Sequence, residues 1–171
     1  KDTMRVYIRN SFAPYSILDS SKAVLDSLGN AGFVFNNLTD GVPVFIQLKH
    51  RNSLETWSRK PTSTVFALLN AIQFTAFNSF LKYDFTTSSS FTFGNNSFKV
   101  DNAPNEFAIY SGDVNQDDFI NLDDVITIYN DAVIFASGYK VTDVNGDNLS
   151  DLSDVLIALN NSSNFVAAIV P

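Results

Sequence analysis

Asp113-Val114-Asn115-Gln116-Asp117-Asp118-Phe119-Ile120-Asn121-Leu122-Asp123-Asp124 is followed thirty residues later by Asp143-Val144-Asn145-Gly146-Asp147-Asn148-Leu149-Ser150-Asp151-Leu152-Ser153-Asp154. Oxygen-bearing side chains fall at positions 1, 3, 5, 9 and 12 of each stretch, the spacing with which a twelve-residue loop wraps a calcium ion. A hard cation takes roughly six to eight oxygens, so alternate side chains must turn inward. In the first loop Asp113, Asn115 and Asp117 supply the first three ligands and the Phe119 carbonyl the fourth. Asn121 acts at position 9 through a water, and Asp124 closes the shell from the first turn of the following helix. Asp143, Asn145, Asp147, the Leu149 carbonyl, Asp151 and Asp154 repeat the set. Position 6, commonly Gly, holds Asp118 and Asn148, residue types that tolerate a left-handed backbone. Position 12 is Asp rather than Glu, so each loop has to close one methylene tighter. Two in-register matches argue for two Ca²⁺ sites rather than two acidic surface turns.

After each loop comes an i, i+3, i+4, i+7 apolar stripe: Leu122, Val125, Ile126 and Tyr129 in one repeat, Leu152, Val155, Leu156 and Leu159 in the other. Each predicts a short helix with one apolar face, and the expected partner of each face is its twin. Before the loops stand Phe107-Ala108-Ile109-Tyr110-Ser111-Gly112 and Gly138-Tyr139-Lys140-Val141-Thr142, short β-prone runs with no room for an entering helix. The motif is therefore half an EF-hand, used twice.

Over about residues 111 to 165 this pattern resembles the dockerin type I repeat doublet. The resemblance implies two loop-helix calcium sites and docking to a cohesin domain through loop positions 10 and 11, commonly Ser-Thr, and through basic residues on the helix. Here positions 10 and 11 are Leu122-Asp123 and Leu152-Ser153, and no Lys or Arg lies between Ser111 and Tyr139. The calcium chemistry carries over; the family's cohesin-contacting residues do not.

The 171-residue chain carries a net charge of -7, yet residues 111 to 155 hold ten Asp and one basic residue, Lys140, for a net of -9. Acidity is thus confined to the doublet, and two Ca²⁺ would relieve its self-repulsion. Nucleic acid is disfavoured as a partner. No run long and apolar enough for a membrane span occurs. The absence of Cys removes disulfides as staples. Calcium can take over part of that role where it is millimolar, the range filled by weak extracellular loops. A mature or excised segment of a longer precursor would look like this chain, which lacks a signal-peptide pattern at Lys1.

The first hundred residues read as strands between polar turns: Met4–Arg9, part of Ala23–Asp26, Phe33–Phe35 and Val44–Leu48, with turns at Gly29-Asn30 and Asp40-Gly41. Residues 65 to 81 read as strands, although Val65, Leu68, Leu69 and Ile72 also fit one helix face. Short strands at this spacing predict a β-sandwich, and residues 32 to 46 look like the hairpin of transthyretin-like or carboxypeptidase-regulatory-like modules. The order of Tyr7-Ile8-Arg9-Asn10, Lys49 to Ser58, Tyr83 to Thr87 and Ile109 to Asp113 resembles the C-terminal regions of large secreted bacterial surface proteins. The expected fold is mainly β with a small α part: a β-sandwich over 1–110 and the calcium doublet over 111–171, continuous through Asn105–Gly112.

One His, no Cys and two Glu leave few ways to assemble a catalytic constellation, so no enzyme is expected. His50 and Trp57 read as packing residues. The functional expectation is an extracellular or cell-surface calcium-binding structural or adhesive module, self-assembling into a fibre or surface layer. The alternative is a docking module that anchors a secreted enzyme to a cohesin-like partner. Asp2-Thr3-Met4 and Asp26-Ser27-Leu28 resemble bacterial O-glycosylation sites, and Asn37-Leu38-Thr39 is a formal N-glycosylation sequon.

Overall fold

The computed structural model describes residues 2–39, 42–60 and 82–171. It is mainly β with two α-helices. Strands β1 (Thr3–Asn10), β2 (Ile17–Val24), β3 (Val44–His50) and β4 (Ser53–Trp57) form one sheet in the order β2-β1-β3-β4. Strands β5 (Phe98–Asn102) and β6 (Asn105–Ala108) pair antiparallel as a separate hairpin. Helices α1 (Leu122–Ala132) and α2 (Leu152–Ser163) each follow one acidic loop. The segment 65 to 81 lies outside the described residues.

Two compact units result. Unit 1 comprises Lys1–Leu48, Thr56–Ala108 and Ile169–Pro171; unit 2 comprises Lys49–Glu55 and Ile109–Ala168.

Unit 1 is built on the sheet. Along β1 the alternation of apolar and polar residues buries Met4, Val6 and Ile8 on one face. β1 pairs antiparallel with β2, with a register shift at Ile8/Arg9. Val44 to Gln47 on β3 are buried at every position, the pattern of a strand covered on both faces. Phe45 centres an aromatic cluster, edge-on to Tyr15 (5.9 Å), Trp57 (5.7 Å) and Phe93 (5.9 Å). Arg9 lies over the Trp57 ring at 5.3 Å while its Nε donates to the buried Gln47 Oε1 at 2.6 Å. Trp57 is a core residue here, as its sequence setting suggested, and is not exposed for stacking on a ligand.

Two strand expectations, Phe33–Phe35 and the strand near Ala23, are corrected. Phe33–Phe35 forms no strand, because side chains of β2 take its neighbouring backbone donors: Ser21 Oγ accepts from Val34 N–H, and Asp19 accepts from Asn36 and Asn37. The transthyretin-like hairpin over 32–46 is therefore not made, and β3 instead neighbours β1 and β4. The strand near Ala23 ends at Val24 and begins at Ile17, since Asp26 opens a turn by accepting from Leu28 and Asn30 N–H. Tyr83 and Phe85 also lie outside any strand. The Tyr83 hydroxyl instead donates to the Phe91 carbonyl at 2.5 Å and accepts from Arg59 N–H at 3.3 Å.

Unit 2 has a small apolar centre of Val114, Val125, Ile128 and Ala158, with Val144 and Val155 against it. Gly112 fits this centre for a steric reason. Its φ is +121°, and a Cβ there would lie 3.2 Å from the Ala158 backbone and 3.3 Å from Ile120. The expected apolar stripes are corrected in part. Val125 faces the centre with Ile128 and Ala132, whereas Leu122, Ile126 and Tyr129 are exposed, as are Leu152, Leu156 and Leu159. At 100° per residue the buried and exposed rows are about a quarter turn apart, so one i, i+3, i+4, i+7 pattern spans both.

Candidate metal centre

Each acidic loop is organised by its own side chains. In the first, the Asp113 carboxylate accepts from Asp117 N–H (3.2 Å) and Asp118 N–H (3.3 Å). Asn115 Oδ1 accepts from Asp117 N–H at 2.9 Å, and Asp117 Oδ1 from Phe119 N–H at 3.1 Å. Asp124 reaches back across the loop: Oδ1 accepts from Val114 N–H (2.8 Å) and Asn115 N–H (3.2 Å), while Oδ2 accepts from Asn121 N–H (3.0 Å). Asn121 caps α1 by accepting from Asp123 N–H, so Asn121 and Asp124 form a reciprocal capping box.

The second loop repeats the main bonds of this network and adds a Gly146 donor. Asp143 accepts from Gly146, Asp147 and Asn148 N–H, Asn145 from Asp147, and Asp147 from Leu149. Asp154 accepts from Val144 (2.8 Å), Asn145 (3.0 Å) and Asp151 (2.9 Å), and Asp151 with Asp154 makes the capping box of α2. The left-handed backbone expected at position 6 is present at both Asp118 (φ 70°) and Asn148 (φ 71°). Position 4 is left-handed as well, in Gly146 and, less expectedly, in Gln116. The Gln116 amide compensates by donating to the Asp113 carbonyl (2.7 Å) and the Ser53 carbonyl (3.2 Å).

The loops are interlocked across the repeats. Ile120 N–H donates to the Val166 carbonyl and Ala168 N–H to the Asp118 carbonyl, tying the first loop to the segment after α2. Ser150 N–H donates to Ala136 and Gly138 N–H to the Asn148 carbonyl, tying the second loop to the segment after α1. Each repeat therefore completes the other.

The donor set fits a hard divalent cation. Asp113, Asp117 and Asp124 can each present an oxygen within 4.8 Å of the others, and His and Cys take no part. Asp113, Asp124, Asp143 and Asp154 are buried. Burial, then repulsion from Asp124, pushes the Asp113 carboxyl up to about 6 against the pull of its backbone donors. A divalent ion there would offset that repulsion. The residues that would hold it are Asp113, Asn115, Asp117, the Phe119 carbonyl, Asn121 and Asp124, and their counterparts Asp143, Asn145, Asp147, the Leu149 carbonyl, Asp151 and Asp154.

Residues outside both loops also reach them, and the sequence gives no sign of it. The turn between β3 and β4 belongs to unit 2. There Asn52 Nδ2 donates to the Asp143 carbonyl at 2.7 Å, and Arg51 Nη2 lies 3.2 Å from the same oxygen. Of the glycosylation candidates, Thr3 is half-buried within β1, while Ser27 and Asn37 are exposed.

No family model matches the chain, and no curated protein matches it. Two similar solved structures are an N-terminal and a C-terminal interface mutant of a type II Cohesin-X-Dockerin complex from Acetivibrio cellulolyticus. Each is 18% identical with a TM-score of 0.47, covering 95% of this chain and 84% of that one. No site residue is carried across at that identity.

Proposed function

We propose that unit 2 is a calcium-stabilised protein-docking module of a secreted bacterial protein, taking a cohesin-type partner through the exposed faces of α1 and α2. The observation that carries this reading is the repeated exposed apolar row. Leu122, Ile126 and Tyr129 on α1, with Val133 at its C-terminal cap, have Leu152, Leu156 and Leu159 as counterparts on α2. Phe135 and Phe165 extend it just beyond the helix ends, both exposed and both in a left-handed conformation that aromatic residues rarely adopt. Apolar groups repeated on a surface in two copies of a motif mark an interaction site better than scattered ones do.

Charge selects the class of partner. The net of -9 over residues 111 to 155 would set like charges against each other if two copies met through these faces. A partner with an apolar centre and a basic rim fits instead. This weighs against self-assembly through this surface and toward a heterologous protein. The calcium loops, of the kind filled at millimolar calcium, support an extracellular location.

Calorimetric titration should give two calcium equivalents for the wild-type chain and one for either Asp124→Ala or Asp154→Ala. Binding to a panel of purified cohesin domains, measured in calcium, should be lost in the double variant Ile126→Asp with Leu156→Asp, which retains both calcium sites. Undiminished binding in that variant would overturn the docking face. Calcium-dependent sedimentation of the chain as a large homopolymer would support the fibre reading in its place.

A further inference from the structure

The two loops share their ligand positions, with Asn121 of the first answered by Asp151 in the second, but they differ in surroundings. At loop 2 a cation touches a ligand: Arg51 Nη2 is 3.8 Å from Asp143 Oδ2 and donates to the Asp143 carbonyl at 3.2 Å. Its guanidinium is held in place over the Tyr139 ring at 4.4 Å. Beside it, the buried Asn52 donates to that carbonyl at 2.7 Å, and its own carbonyl accepts from Gly112 N–H at 2.7 Å. At loop 1 the nearby cation is Lys49, which is paired at 2.9 Å with Glu55 and stands 3.9 Å from Asp118. Glu55 is outside the loop, and Asp118 is at position 6, which supplies no ligand. One loop thus has its first ligand engaged by a fixed positive charge, and the other has its neighbouring charge offset elsewhere.

We propose that Arg51 and Asn52 are working parts of the second calcium site: Asn52 positions Asp143, and Arg51 is a resident cation that holds loop 2 wrapped without metal and makes it the weaker of the two sites. The inference rests on the calcium reading above and deepens it. The Arg51 charge competes for Asp143. A divalent ion entering loop 2 must share that carboxylate with it. Even with the screening of bulk water, one unit charge beside a dication changes affinity by about tenfold, and this pair is only 13% and 2% exposed. Filling is then sequential, loop 1 before loop 2, and the module passes through a singly loaded form as calcium rises.

Removing the charge should strengthen binding, whereas a merely structural role for Arg51 would make its loss weaken binding. The opposite sign is what the experiment reads. Calcium calorimetry on the wild type should resolve two unequal sites, with Asp154→Ala deleting the weaker and Asp124→Ala the stronger. Arg51→Met, which keeps a long unbranched side chain but removes the charge, should raise the affinity of the weaker site about tenfold and leave the stronger unchanged. Arg51→Lys should stay near the wild type. An unchanged or lowered weak-site affinity in Arg51→Met overturns the proposal while two-site binding still stands. So does loss of the loop 1 isotherm in that variant, which would mark Arg51 as structural. Assignment of the weaker site to loop 1 overturns it too. Absence of any calcium heat in the wild type overturns the underlying calcium reading, a result none of the other outcomes imitates.

Discussion

Asp113 shows how a single carboxyl links metal, proton and stability. Its carboxyl is raised to about 6 by burial and by Asp124, from an ordinary value near 3.8. Between those two values the folded chain holds a proton that the unfolded chain has lost, so folding stability falls as pH rises through this window. The burial of Asp118 acts in the same direction. Asp19, Asp26, Asp84 and Asp151 are lowered by hydrogen bonds, and their contribution is lost only below the usual carboxylate range. The expected outcome is a metal-free protein whose melting temperature drops between about pH 4 and pH 6.5 and levels off above it. Asp113→Asn should flatten that slope. Melting curves in chelator across the range check this; a slope that survives in Asp113→Asn would assign the strain elsewhere. The hydrogen-bonded loops around the candidate ligands were legible because their spacing is local: positions 1 to 12 constrain one another within a dozen residues of chain. Arg51 and Asn52 were not legible, since only tertiary folding brings residues 51 and 52 to the Asp143 carbonyl.

At the level of elements, a similar divide separates what the sequence shows from what it hides. The starts of α1 and α2 follow from the capping residues Asn121 and Asp151 with Asp124 and Asp154 three places on. Which apolar row faces inward does not follow, because Ile128 and Ala158 are flanked by exposed Ile126, Tyr129, Leu156 and Leu159 of similar hydrophobicity. Periodicity detects an apolar arc; the packing partner chooses a side of it. Likewise Phe33–Phe35 is a β-prone run whose neighbouring donors are diverted to Asp19 and Ser21. Helix α2, through Ala158, can approach Gly112 only because it has no side chain. Gly112→Ala should therefore cost roughly 1–3 kcal/mol, combining a positive φ with a contact against the Ala158 backbone. Denaturant unfolding followed by helical circular dichroism measures it, and a cost within experimental error would mean that the helix pair shifts freely.

For the whole molecule, the decisive comparison is between the cores of its two units. Unit 1 rests on Met4, Val6, Ile8, Phe45 and Trp57, whereas unit 2 sets Val114, Ile120, Val125, Ile128 and Ala158 against four buried carboxylates, Asp113, Asp124, Asp143 and Asp154. With so little apolar burial and no disulfide, unit 2 depends on what neutralises those carboxylates. At free calcium of about ten times the dissociation constant, each independent site would contribute roughly 1.4 kcal/mol. Two such sites would shift the melting of a domain of this size by about 10–20 °C. The chain carries its own reporters for the test. Both helices lie in unit 2, and Trp57, the one Trp of the sequence, lies in unit 1. Chelation should lower the transition seen by helical circular dichroism by that amount, and an unmoved transition would rule out calcium as the stabiliser of unit 2. Tryptophan fluorescence in the same melt reports how far the effect travels along the chain. An equal shift at Trp57 means that both units unfold as one body, the continuity expected from Asn105–Gly112, and a stationary one means that calcium stabilises only the segments 49–55 and 109–168.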